Sequence, residues 1–308
     1  MRFIIFAEMN SIPSLFQSML SGDKRALARC ISLVENESKG FEEILLSLKF
    51  PKNVPIIGIT GPPGAGKSTL VNRMLDELSR EGKKVGVLAV DPTSPFTEGS
   101  LLGDRLRMSD HFLNPDIFIR SLATRGSLGG LSAKAIEITD VMRAFGFDIL
   151  FLETVGVGQN EVEIAGLADT TVLVLVPEAG DEVQTLKSGI MEIADIFVVN
   201  KSDRQGADLF VKNLLTLVSA RHAHNPVIQT SATTGTGIAE LLTVLGNTHI
   251  QADPEKKVRL LTEKASRLIA YGRMRNLQKK ELEAELRKAL LQPDFNLYQF
   301  ITPYINLP

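Results

Sequence analysis

The sequence predicts an α/β fold: a doubly wound, mostly parallel sheet of the P-loop type, with a helical segment before it and a helical extension after it. Three observations predict it. Between residues 51 and 250, short runs of Val, Ile and Leu alternate with helical stretches. Those runs are almost continuously apolar, as expected of strands buried on both faces by helices. The first run leads into a glycine-rich loop, Gly61–Ser68, and then into a helical pattern, the strand–loop–helix order that cradles phosphate.

In chain order, residues 1–50 read as an N-terminal helical segment. Leu15, Phe16, Met19 and Leu20, then Leu27, Ile31 and Val34, recur at helical spacing. Pro51 and Pro55 break the pattern. Residues 51–250 read as the nucleotide-binding domain, with strands expected at Ile56–Thr60, Val85–Val90, Ile117–Ser121, Ile149–Leu152, Thr171–Val176, Ile196–Val199 and Val227–Thr230. Helices are expected near 68–81, 130–145, 181–194, 206–221 and 237–246. In such sheets ligands sit beyond the carboxyl ends of the strands. After Asp253-Pro254 the composition turns to Lys, Arg and Glu with Leu at helical spacing, so residues 251–308 read as an extension of one or two long helices ending in Phe295–Pro308.

Bulk properties narrow the function classes. The chain has 308 residues, 44% of them hydrophobic and 23% charged, with a formal net charge of −2. That is an ordinary globular composition without the positive excess that grips nucleic acid, so no nucleic-acid partner is expected. No run of about 18 apolar residues offers a membrane span, and no membrane partner is expected. Arg2–Ala7 lacks the length and cleavage pattern of a signal peptide. The one cysteine, Cys30, allows no intrachain disulfide or thiolate cluster and reads as a small buried apolar residue. The cytoplasm is the expected compartment. His222 and His224, two apart, do not face each other on a helix, and no metal site is expected of them.

Gly61, Pro62, Pro63, Gly64, Ala65, Gly66, Lys67 and Ser68, followed by Thr69, match G-x-x-x-x-G-K-[ST]. The glycines let successive N–H groups curl toward phosphate oxygens, and the helix behind adds its positive end. Lys67 is expected to reach the β- and γ-phosphates, and the Ser68 hydroxyl to ligate Mg²⁺.

Asn200-Lys201-Ser202-Asp203 follows the strand at 196–199 and looks like the guanine-specifying N-K-x-D. A carboxylate at Asp203 accepts from the N1–H and the exocyclic amine of guanine, groups that adenine does not present in that geometry. The Lys201 stem suits the faces of base and ribose, and Asn200 is expected to tie this loop to the phosphate cradle. Ser231-Ala232-Thr233 resembles the loop whose backbone N–H meets guanine O6. Alone, NKSD would read as a polar turn; its order after the phosphate loop is what gives it meaning. GTP or GDP is therefore the expected nucleotide, with Mg²⁺ as its cation.

Three carboxylates stand near strand ends: Asp91 in VDPTSP, Asp104 in LLGDRLRM and Glu153 in ETVGVGQ. The last resembles the D-x-x-G switch with glutamate for aspartate, which would place the Gly156 N–H on the γ-phosphate. All three are expected to coordinate Mg²⁺ or position water, with the division of labour among them open.

In order, GPPGAGKST, VDPTSP, GSLLGDRLRM, RGSLGGLS, ETVGVGQ, LVLVPEAGDEVQTLKSGIMEIADIFVVNKSD and SATTGTG resemble the MeaB/ArgK family over roughly residues 11–250. The resemblance implies a GTP-hydrolysing chaperone of an adenosylcobalamin-dependent acyl-CoA mutase of the methylmalonyl-CoA mutase type, guarding cofactor loading. It also implies an additional switch loop at residues 180–187, where Asp181, Gln184 and Lys187 match polar positions and Lys187 supplies positive charge to the transition state. It further implies a homodimer joined through the C-terminal helices. Leu260, Leu261, Leu268, Leu277, Leu282 and Leu286 suit such an arm, and packing on the chain's own globule stays open beside it. Ala133 stands where the family usually carries a polar residue, which would alter partner contact. Two other readings remain: a kinase or ATPase of lysine/arginine/ornithine transport, as the family's older name has it, and a nucleotide-sensing module with little turnover.

Overall fold

A computed structural model describes residues 11–50, 52–91, 108–123, 130–154, 167–179, 190–219, 225–250, 254–275, 277, 279–292 and 295–305. The chain divides into two compact units, residues 1–264 and 265–308.

The first unit is built on seven strands: β1 (Ile56–Thr60), β2 (Val85–Asp91), β3 (Ile117–Ala123), β4 (Ile149–Thr154), β5 (Thr170–Leu175), β6 (Ile196–Val199) and β7 (Val227–Gln229). They form one sheet in the order β3-β2-β4-β1-β5-β6-β7, and every pairing is parallel. After β1 the chain moves out through β2 and β3, returns to insert β4, and then crosses to the other side of β1. The reversal of direction beside β1 is the place where such sheets open a crevice for ligand.

Alternation along the strands explains why helices cover both faces. Ile57, Ile59, Val172, Val174, Ile196 and Val198 join one buried cluster with Leu70, Val71 and Met74 of α4 (Lys67–Arg80) and Leu241 and Leu245 of α8 (Ile238–Ile250). Their strand neighbours Leu173, Leu175, Phe197 and Val199 face the other way, onto Phe210, Val211 and Leu214 of α7 (Ala207–Ser219).

The helical reading of residues 11–50 resolves into α1 (Ile12–Leu20), α2 (Lys24–Glu35) and α3 (Phe41–Ser47). Ser11 and Asp23 cap the first two, accepting from the backbone N–H groups of Ser14 and Arg25. Helices α1 and α2 pack against α5 (Gly130–Phe145), and α2 is tied to the sheet edge. Lys24 Nζ donates to the carbonyls of Asn114 (3.1 Å) and Ile117 (2.7 Å), while Arg120 of β3 pairs with Glu35. Ala133 lies in α5 and is fully buried at 0% exposure; its methyl group packs inside the protein and offers nothing to a partner, which corrects the sequence expectation.

Strand β4 runs two residues beyond the run read from sequence, so Glu153 lies within the strand and is in register with Ile59 of β1 and Ala89 of β2. Short α6 (Ile190–Ile193) precedes β6, and residues 180–189 of the helix expected there lie outside the described residues.

The extension begins with α9 (Pro254–Met274), starting on a proline as helices permit. The second unit takes the rest of that helix together with α10 (Lys279–Ala289) and α11 (Leu297–Ile305). Helix α11 goes beyond the expected one or two: Asn296 accepts from the N–H groups of Tyr298 (2.9 Å) and Gln299 (3.2 Å) and so starts it. Within this unit Tyr304 binds the Glu285 carboxylate, and Phe300 packs on Tyr304 with ring centroids 5.6 Å apart.

Cys30 is fully buried in α2, and burial pushes its thiol up to about 11. The thiolate is the reactive form. The native protein is therefore expected to leave Ellman's reagent unreacted at about pH 8 and to yield one equivalent of thiol in denaturant. Prompt native labelling would contradict the packing of α2.

Candidate functional site

At the end of β1 the backbone turns through Gly61 (φ +141°), where an added Cβ would lie 2.1 Å from the Val174 carbonyl oxygen. No side chain larger than hydrogen fits there, so the loop rides directly on the β5 backbone. At the far end Gly66 is left-handed (φ +85°), and a Cβ would meet Asn200 Nδ2 at 2.5 Å. Between them Ala65 N donates to the Pro62 carbonyl at 3.2 Å and closes the turn. Helix α4 starts immediately with no side-chain cap on its N-terminus, so its positive end faces the loop.

Lys67 folds back over the loop, donating to the carbonyls of Gly61 (2.7 Å) and Pro62 (3.0 Å). Ser68 Oγ donates to Glu153 Oε1 at 2.5 Å. Lys67, Ser68 and Glu153 are 6%, 6% and 4% exposed, so these are charged and polar groups held in the protein. The register of β4 between β1 and β2 brings Glu153 to the loop. Asp91, of which the backbone is described, is the last residue of β2, next to β4 at the same carboxyl edge.

The second half of the site follows β6 and β7. Asn200, 1% exposed, donates from Nδ2 to the Ala65 carbonyl (2.8 Å). Its Oδ1 accepts from the Thr230 hydroxyl (3.2 Å) and from Ala232 N (3.1 Å). One carboxamide thus joins the phosphate loop, the β6 loop and the β7 loop. Lys201 adopts φ +58°, in the left-handed region, and Ser202 N donates to the Thr230 carbonyl at 3.0 Å. The exposed Asp203 carboxyl is held below its ordinary range, foremost by a hydrogen bond from Ser231. Arg204 pairs with Glu178, just past β5, and holds that carboxyl below its ordinary range too. The loop after β7 is closed by Ser231 N to Thr236 O (3.0 Å) and Gly235 N to Ser231 O (2.8 Å).

Lys67, Ser68 and Glu153 therefore meet at one end of the site, Asp203, Ser231, Ala232 and Thr233 at the other, and Asn200 links the two. Asp104, Gly156, Asp181, Gln184, Lys187, His222 and His224 lie outside the described residues. Two features escape a sequence reading. Arg73 of α4 donates to the carbonyls of Ala232 (2.9 Å) and Thr233 (3.0 Å), and the Glu178–Arg204 pair braces the NKSD loop. An arginine in mid-helix and a charge pair 26 residues apart carry no spacing signal.

Ser68 Oγ and the Glu153 carboxylate form a hard oxygen donor set, which suits Mg²⁺. Among the described residues no group of three or more His, Cys, Asp or Glu gathers as a metal cluster; a Mg²⁺ that keeps waters and takes phosphate oxygens does not require one. A cavity of about 660 Å³ lined by Lys52, Leu78, Asp148, Ile149 and Leu242 lies at the amino ends of β1 and β4. It is at the opposite end of the sheet from the glycine loop and contains none of these groups.

The family profile described as "Methylmalonyl Co-A mutase-associated GTPase MeaB" matches residues 27–285. A protein of Pyrococcus abyssi that carries the name GTPase is 48% identical over 284 residues, 90% of this chain and 83% of that one. Another so named, from Pyrococcus horikoshii, is 52% identical over 243 residues, 76% of each chain. A crystal structure described as an LAO/AO transport system kinase superposes with a TM-score of 0.65 at 25% identity, covering 96% of this chain and 97% of that one.

Replacing Asn200 with Ala would strand the Ala65 carbonyl, the Ala232 N–H and the Thr230 hydroxyl in a buried place. The Asn200→Ala variant is expected to lose about 2–4 kcal/mol of stability, read as a lower urea midpoint. An unchanged midpoint would mean that the three loops hold together without this side chain.

Proposed function

Because the chain belongs to the MeaB family of methylmalonyl-CoA mutase-associated GTPases, we propose that it hydrolyses GTP to GDP and phosphate and couples that cycle to an adenosylcobalamin-dependent acyl-CoA mutase. The observation that carries this reading is the Asn200 bridge, which makes a phosphate cradle and a base-reading loop into one site.

In this reading the N–H groups of the 61–68 loop and the amino end of α4 hold the phosphates. Lys67 exchanges its bonds to the Gly61 and Pro62 carbonyls for β- and γ-phosphate oxygens. The Ser68 hydroxyl and the Glu153 carboxylate, with Asp91 and Asp104, hold Mg²⁺ and orient water. Mg²⁺ held there would supply positive charge to the phosphates. Water attacks the γ-phosphorus and the bond to the β-phosphate oxygen breaks. The chain contributes position and charge, with Gly156 N–H on the γ-phosphate and Lys187 reaching the transition state. At the other end Asp203 and the 231–233 loop select guanine, because a mismatched base leaves polar groups unpaired.

The mutase partner is supported by the words of the family's description. A homodimer through the C-terminal helices is supported by the second unit itself: Ile269, Leu290, Leu291 and Tyr298 are exposed there, and Leu268, Leu277, Leu282 and Leu286 are only partly buried. The described residues contain no helix long and apolar enough to cross a membrane. The related crystal structure is described as a kinase, which keeps phosphoryl transfer to a protein acceptor as the second reading.

GTP turnover measured with and without purified mutase separates the two. Stimulated release of free phosphate is expected, and Lys67→Ala should lower it by about a hundredfold or more. Phosphate appearing on an acceptor protein would favour the kinase reading instead.

The Asp203 carboxyl is lowered from its ordinary value, so it stays charged at every pH above the usual carboxylate range. Preference for GTP over ATP is therefore expected to be flat from about pH 8 to about pH 5 and to fall only below the ordinary Asp value of about 4. Ser231→Ala removes the first cause of the shift and should move that fall upward. A preference that titrates near neutrality would point away from Asp203 as the base reader.

A further inference from the structure

We propose that Arg73 is a positioning residue for base selection, acting on the 231–233 loop and not on the nucleotide; the proposal rests on the guanine-site reading above. Arg73 projects from α4, the helix that carries Lys67 and Ser68. Its Nε donates to the Ala232 carbonyl at 2.9 Å and its Nη2 to the Thr233 carbonyl at 3.0 Å. Asp76, one turn on, lies 3.5 Å from Nη1, and the buried His111 places Nε2 3.4 Å from the other Asp76 oxygen. The last two separations are long for hydrogen bonds, so the two carbonyl bonds carry the geometry and Asp76 steers the guanidinium.

The consequence follows from the peptide unit. In a planar trans peptide the C=O and the next residue's N–H point in opposite directions. Holding the Ala232 carbonyl therefore aims the Thr233 N–H away from α4, and holding the Thr233 carbonyl does the same for Thr234. The Ala232 N–H already donates to Asn200 Oδ1 at 3.1 Å. The loop is thus gripped from two sides, by Asn200 on its first N–H and by Arg73 on the carbonyls that follow. Only arginine offers two parallel donors in one rigid fork, while lysine offers a single point. Through that fork, the helix that holds the phosphates also orients the donors that meet the oxygen at purine C6.

Purine chemistry makes this testable. Guanine and hypoxanthine share the C6 oxygen and N1–H, adenine has neither, and the exocyclic 2-amine belongs to guanine alone. Binding of Mg-GTP, Mg-ITP and Mg-ATP is measured for the wild type, Arg73→Met, Arg73→Lys and Asp203→Asn. Arg73→Met is expected to weaken GTP and ITP by the same factor, about tenfold, with ATP unchanged. Arg73→Lys should fall between the wild type and Arg73→Met, and Asp203→Asn should instead alter the GTP-to-ITP ratio. If Arg73→Met weakens all three nucleotides equally, or none of them, or shifts the GTP-to-ITP ratio, the proposal is overturned. Should Arg73→Met fold poorly, Arg73→Lys carries the test alone, since equal losses on all three nucleotides would again overturn it. A wild-type protein that holds ATP as tightly as GTP would instead overturn the guanine reading itself, and that result is seen before any variant is made.

Discussion

The Asn200 carboxamide is the constraint on which the site depends. A carboxamide has two donors and two acceptor positions. Here it spends one donor on the phosphate loop and both acceptor positions on the loop after β7. Because the group is buried, each of these bonds is expensive to lose. Strand β5 lies between β1 and β6, so the side chain reaches across a strand to join loops that the sheet itself keeps apart. Gly66 is the complement of that reach: a Cβ there would clash with the Asn200 amide nitrogen at 2.5 Å.

Around this link the glycine-loop end is arranged from strand register and the end beyond β7 from loop closure. Glu153 reaches Ser68 because β4 is inserted between β1 and β2, and the parallel register sets Glu153 level with Ile59, the residue before Thr60 and the glycine loop. Lys67 and Ser68 sit on the first turn of a helix whose N-terminus has no side-chain cap. That region carries concentrated positive potential, and the protein answers it with loop carbonyls and the Glu153 carboxylate. Beyond β7 the 231–236 segment folds on itself, and Arg73 ties it to the same helix. The glycine loop and the loop after β7 thus share one rigid element, α4, whose apolar face is locked into the core by Leu70, Val71 and Met74.

Much of this was legible from residues alone. The Val/Ile/Leu runs place seven parallel strands to within one or two residues, because strands buried on both faces have to be apolar throughout. GPPGAGKS marks the tight loop between β1 and α4, because the backbone there passes so close to Val174 and Asn200 that residues 61 and 66 have to be glycine, and NKSD marks the loop that follows β6. Other features were not legible. The sequence reads the extension as one or two helices where the structure has three, and Pro303 inside α11 is a residue that ordinarily breaks a helix. Ala133 looked like an altered contact surface, because one face of a helix cannot be assigned to solvent until its neighbours are placed.

The sequence by itself therefore determined the fold class, the order of the motifs and the side to which each belongs, since periodicity and motif chemistry are local properties of the chain. Tertiary structure decided which groups touch. Strand order brought Glu153 to Ser68, the reach across β5 gave Asn200 the Ala65 carbonyl, and the packing of α4 beside the loop after β7 gave Arg73 its two carbonyls. These contacts join residues 85, 135 and 159 or more positions apart, a separation over which no local pattern in a single chain records who will meet whom.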